Sequence, residues 1–72
     1  MKTQGIRNPL EKHKKRLYTI KEAAEYLGRP VWSIRELIWA GAIPFIQNGR
    51  IYYLDILDMD SWIEANKRRL VF

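Results

Sequence analysis

Residues 19–41, TIKEAAEYLGRPVWSIRELIWAG, decide the fold of this chain. They read as two short amphipathic helices joined by a tight turn at Gly28-Arg29-Pro30. Thr19 suits an N-cap, and Glu22 three residues later completes a capping box with it. Ala23, Ala24 and Leu27 form an apolar stripe, with Lys21, Glu22 and Glu25 on the wet side. Gly28 accepts the positive φ that ends a helix, and Pro30 fits the first turn of the next, where its missing N–H matters least. The second helix runs from about Pro30 to Ala40, with Gly41 as its stop. Val31, Ile34, Leu37 and Ile38 make its core stripe, while Trp32, Ser33, Arg35, Glu36 and Trp39 fall on other faces.

Downstream, Phe45-Ile46-Gln47 and Arg50-Ile51-Tyr52-Tyr53-Leu54 flank Asn48-Gly49. That pattern reads as a β-hairpin with Asn48-Gly49 as a type I′ turn. Alternation puts Tyr52 and Leu54 on one face and Ile51 and Tyr53 on the other. Asp55 then caps a last helix whose stripe is Ile56, Met59, Trp62 and Ile63, with Asp58 favouring its dipole. Upstream, residues 1–17 hold few large apolar side chains and the run Lys12-His13-Lys14-Lys15-Arg16, the composition of a flexible basic arm. The organisation expected is an arm over 1–17, one domain over 18–66 and a basic tail over 67–72.

Composition limits what such a chain does. Seventy-two residues support one small core, for which 47% apolar content suffices. Without cysteine there is no disulfide scaffold and no thiolate metal site. No apolar run nears the ~20 residues that span a bilayer, so a cytoplasmic protein is expected, with no membrane contact. The net charge is +5, unevenly spread. Residues 1–17 carry six Lys or Arg against Glu11 alone, and Lys67, Arg68 and Arg69 close the chain. Between them, Lys21, Arg29, Arg35 and Arg50 face seven acids, a net −3. The tails therefore supply the positive field that favours a polyanion partner. One His and no Cys, with no nucleophile–base pair or phosphate-cradling glycine loop, argue against an enzyme and against any cofactor. Asp55, Asp58 and Asp60 suit a helix N-terminus better than a metal site, and His13 in the arm suits solvent.

The order helix, turn, helix, hairpin, helix is the layout of a winged helix-turn-helix, mainly α with a small β wing. From Tyr18 to about Ala65 the chain resembles the small winged helix-turn-helix DNA-binding domains of excisionases and MerR-type regulators. Residues 19–28, TIKEAAEYLG, carry most of the resemblance, joined by Leu37-Ile38, Gly41-Ala42-Ile43-Pro44, Gly49-Arg50, Asp58-Met59 and Trp62-Ile63. The resemblance implies that the helix after Gly28 reads the major groove, through Arg29, Pro30, Val31, Trp32, Ser33, Arg35 and Glu36. It implies a wing on the DNA backbone, through Gln47, Asn48, Arg50, Ile51 and Tyr53. Lys14, Lys15 and Arg16 of the arm would track phosphates. The chain departs from such relatives in having Pro30, Val31 and Trp32 where they carry Ser or Thr, fewer cations along the helix, and only Arg50 on the wing.

The function implied is sequence-specific binding of double-stranded DNA as an excisionase, a recombination directionality factor that binds and bends attachment-site DNA. Its partners would be an integrase and further copies of itself on DNA. The short chain beyond the third helix argues against a full MerR-type sensor. A small transcriptional regulator of the same fold is one alternative. A protein–protein adaptor is another, with Trp32, Trp39, Phe45, Ile51 and Tyr53 as an apolar face. Whether the two tryptophans belong to core or interface stays open at this level.

Overall fold

The computed structural model describes residues 15–70. Lys12, His13 and Lys14, with the rest of the first fourteen residues and Val71 and Phe72, lie outside the described residues. Local sequence sets the first helix, α1 (Ile20–Leu27). The Thr19 Oγ1 accepts from the Glu22 N–H at 3.2 Å, and the Glu22 carboxylate accepts from the Thr19 N–H at 3.0 Å, so both halves of the capping box form. At the other end Gly28, at φ 67°, takes the left-handed conformation. The Gly28 N–H reaches the Glu25 carbonyl and the Arg29 N–H reaches that of Ala24, a Schellman closure.

The second helix, α2 (Val31–Trp39), begins one residue later than expected. Pro30 is extended, at ψ 158°, and serves as the N-cap instead of occupying the first turn. Its carbonyl accepts from the Ser33 and Ile34 N–H groups. Beyond Gly41, three strands and a helix complete the domain: β1 (Leu17–Thr19), β2 (Ile46–Asn48), β3 (Ile51–Asp55) and α3 (Ile56–Asn66). The core draws on nearly every element: Ala23 and Ala24 of α1, Ile34 and Ile38 of α2, Leu54 of β3, Ile56 and Met59 of α3, and Ile43 between α2 and the hairpin. The Tyr26 hydroxyl donates to Asp60 across α1 and α3, and that contact pushes the phenol up to about 12.

Two features differ from the reading of the sequence. The hairpin is part of a three-stranded antiparallel sheet ordered β1-β3-β2, because Leu17, Tyr18 and Thr19 pair with Asp55, Leu54 and Tyr53. The turn is also displaced by one residue. Asn48 pairs with Ile51, so the two loop residues are Gly49-Arg50, not Asn48-Gly49. Both registers keep Phe45 and Tyr52 on one face, so alternation does not choose between them. Turn chemistry does. Gly49 sits at φ 64° in the first loop position, where a primed turn needs a positive φ, and Gln47 Nε2 donates to the Gly49 carbonyl at 3.1 Å. Phe45 then stacks on Tyr52 at 5.2 Å.

The new strand changes the standing of the residues before it. Composition assigns Lys15–Leu17 to the arm, but they are tied into the domain. The Arg16 guanidinium meets both Asp55 oxygens, with Nε at 3.2 and 3.0 Å and Nη2 at 2.9 Å, and its carbonyl accepts from the Ile56 N–H at 2.8 Å. Lys15 pairs with Glu22 and lies over the Tyr18 ring. Asp55 therefore has two duties, since its carboxylate also accepts from the Leu57 N–H at 2.9 Å to cap α3.

Arg16 holds the Asp55 carboxyl below the usual carboxylate range, with the Leu57 N–H adding to the effect. A depressed folded-state pKa gives stability that is present above the ordinary Asp value and lost as pH falls through the folded one. The thermal midpoint should be flat above about pH 5 and fall in more acid solution. Asp55→Asn should weaken that acid slope, since Asn keeps the cap but not the charge. Asp55→Ala should remove the cap as well, costing about 1–2 kcal/mol. In a domain of this size that lowers the midpoint by roughly 4–8 °C per kcal/mol, readable by circular dichroism.

Candidate nucleic-acid interface

Packing α2 against α1 and folding the hairpin beside both leaves a cleft of about 500 Å³. One wall is the start of α1, with Thr19, Ile20 and Lys21. A second is the outer side of α2, with Arg35, Ile38 and Trp39, and the third is the wing, with Arg50, Ile51 and Tyr52. Three cations from three different elements thus converge on one open surface.

The other described cations show why this convergence matters. Lys15 is paired with Glu22, Arg16 with Asp55 and Lys67 with Glu64. Arg68 donates to the Ala65 and Lys67 carbonyls, and Arg69, beyond α3 and outside the cleft lining, has no carboxylate partner among the described residues. Among the described residues no carboxylate pairs with Lys21, Arg35 or Arg50. An unpaired cation at a concave surface keeps its full attraction for an anion, whereas a paired one must first give up its partner.

Several residues expected to face DNA are otherwise placed. Ser33 is 3% exposed, and its hydroxyl accepts from Arg29 Nε at 2.6 Å, so it does not reach a base edge. Arg29 is half-buried, and its guanidinium lies 5.4 Å from the Trp62 ring centroid, joining the α1–α2 turn to α3. Its task is structural. Arg16 is likewise held by Asp55 rather than extended as an arm. Val31 packs against the core. Gln47 braces the wing turn, and Asn48 and Arg50 are exposed at the wing tip. Ile51 is exposed and Tyr53 half-buried on the outer sheet face. Lys14 lies outside the described residues.

The tryptophans have a clear position. Trp32 is 63% and Trp39 73% exposed, so neither belongs to the core. Both lie with Arg35 and Glu36 on the outward arc of α2, since seven residues bring a helix nearly back to the same side. Sequence reasoning missed Lys21, which reads as an ordinary solvated residue of α1. Its place in the cleft shows only when β1 sets the start of α1 beside the wing.

Among the described residues no group of His, Cys, Asp and Glu is placed to hold a metal ion, and no helix is long and apolar enough to cross a membrane.

A two-helix unit followed by a wing, with unpaired cations gathered between them, defines a winged helix-turn-helix DNA-binding domain. The chain belongs to the helix-turn-helix domain family, whose model matches residues 17–67, from the first residue of β1 to just past α3. Comparison with curated proteins and with solved structures finds no match.

Proposed function

We propose that this domain seats α2 in the major groove of duplex DNA, lays the wing on the adjacent backbone, and acts as an excisionase. The observation that carries the groove reading is the unpaired set Lys21, Arg35 and Arg50 around one cleft. These cations contact phosphates and set the register of α2, whose outward arc then meets base edges. The resemblance of residues 18–65 to excisionases supports the finer role: binding and bending attachment-site DNA beside an integrase, with copies of the chain adjacent on the site. A small transcriptional regulator would use the same surface on promoter DNA. An excision assay with the integrase separates the two. Loss of directionality on removing the protein supports the excisionase, and an unchanged excision yield counts against it.

Residues 1–14 hold Lys2, Arg7, Lys12 and Lys14 against Glu11 and add sequence-independent affinity through counterion release. Their deletion should weaken DNA binding more than Arg50→Ala, because it removes more net charge. The cut belongs after residue 14, since removing Arg16 would also break its pairing with Asp55. A gel-shift comparison with an equal or smaller loss for the truncation would sink the arm's role.

The exposure of Trp32 and Trp39 favours a second reading, an adaptor that binds another protein through an aromatic face. Titrating isotopically labelled protein with duplex DNA discriminates between them. Amide shifts at residues 30–36 and 47–51 support groove binding, and shifts confined to the two ends support the adaptor.

A further inference from the structure

Between its two tryptophans the outward arc of α2 carries an unusual set of groups for a surface that meets DNA. Trp32, Glu36 and Trp39 are exposed there, with Arg35 at the edge that faces the cleft. Phosphate binding is thus concentrated on the cleft side. A carboxylate is repelled by phosphate, and an indole offers it only one N–H. These groups do fit base edges in the major groove. The thymine C5-methyl is the apolar feature there, and the exocyclic amino group of cytosine N4 or adenine N6 is the donor that a carboxylate accepts from.

The geometry points to a composite reading surface: Trp32 covers a thymine methyl, and Glu36 accepts from a base amino group on the same stretch of groove. Trp32 is the second residue of α2, at the end by which a recognition helix usually approaches base edges. Glu36 is one turn farther along, a rise of about 6 Å, so its base lies within about two base pairs of that thymine. Trp39, on the cleft side beside Arg35 and Arg50, faces the deoxyribose between the phosphates those cations hold. Base choice therefore comes from a methyl contact and an acceptor, with Arg35 given over to phosphate at the edge of the cleft. The inference rests on α2 entering the groove, as proposed above.

The test uses the full chain and duplexes selected by it from a randomised pool. Selection should enrich a thymine at one fixed position and, within about two base pairs of it, a single base-pair identity instead of a mixture, because every pair carries one amino group and only its position in the groove distinguishes them. Replacing that thymine by deoxyuridine removes only the methyl and should weaken wild-type binding about fourfold, the worth of one buried methyl group. Trp32→Ala should bind the two duplexes alike. Glu36→Ala should keep the thymine effect and lose the preference at the neighbouring pair. Trp32 and Glu36 are exposed, so neither change threatens the fold, and the deoxyuridine duplex needs no variant at all. Binding with no base preference, or a deoxyuridine effect that persists in Trp32→Ala, overturns the inference while leaving DNA binding intact. Failure to retain any duplex at low salt overturns the inference together with the groove reading beneath it.

Discussion

Replacing Lys21, Arg35 and Arg50 together by alanine should leave the domain folded and lower its duplex affinity about 100-fold at 0.15 M salt. Each phosphate neutralised by a cation steepens the dependence of log affinity on log salt by about 0.9. Extrapolated to 0.15 M, that is about fivefold per contact, and three such contacts multiply to roughly 100-fold. The salt dependence should become shallower by nearly 3 in slope. All three side chains reach a solvent-open cleft without a carboxylate partner, so removing them breaks no ion pair of the domain. Lys67→Ala, by contrast, removes a cation already matched by Glu64 and should change affinity far less. Fluorescence anisotropy from 50 to 200 mM salt (about the range where counterion release is resolved) reads both quantities. A triple variant with the wild-type salt slope would show that the cleft is not where the DNA backbone lies.

The helix pair was legible because its signals are local. Thr19 and Glu22 need only each other, and Gly28 needs only the carbonyls of the turn before it. Alternation likewise separates Tyr52 and Leu54 from Ile51 and Tyr53, and the first pair's face is the inward one, with Leu54 fully buried. What escaped the sequence depends on contacts distant along the chain. Leu17-Tyr18-Thr19 is too short to announce a strand, and its pairing with β3 joins residues more than thirty apart. With it came the Arg16–Asp55 clamp, hidden in a run that reads as one basic arm. Ser33 illustrates the opposite error. Its polarity suggests a surface, yet it shares a face with Leu37 one turn later and lies buried under Arg29. The helical spacing rules gave no signal for its bond to Arg29, which lies in the turn before the extended Pro30 cap. Lys21 had none, because the cleft exists only once α1, α2 and the wing are assembled. The candidate surface is therefore less readable than the scaffold: its members come from three elements, and no local pattern joins them.

Ile34→Ala should largely unfold the protein, whereas Arg35→Ala, one residue on, should unfold nothing. Ile34 is fully buried among residues from the other helices and the sheet, while Arg35 opens onto the cleft. Truncating a buried isoleucine costs about 2–5 kcal/mol, and a core this small seldom provides more than about 3–5 kcal/mol in total. The mutant should therefore show a shallow or absent thermal transition, where Arg35→Ala keeps the wild-type midpoint. Both should bind DNA poorly, for separable reasons. Ile34→Ala retains the cations and loses only the population of folded molecules, so its apparent affinity falls by that fraction. Excess duplex at low salt should then draw it back to the folded state by mass action. Recovered helical ellipticity on titration would reveal this. Arg35→Ala is already folded, so added duplex should change its ellipticity no more than it changes that of the wild type. If instead Ile34→Ala melts like the wild type, α2 is not docked through this residue. The cleft would then lack the fixed wall that holds Arg35 and Trp39 opposite the wing.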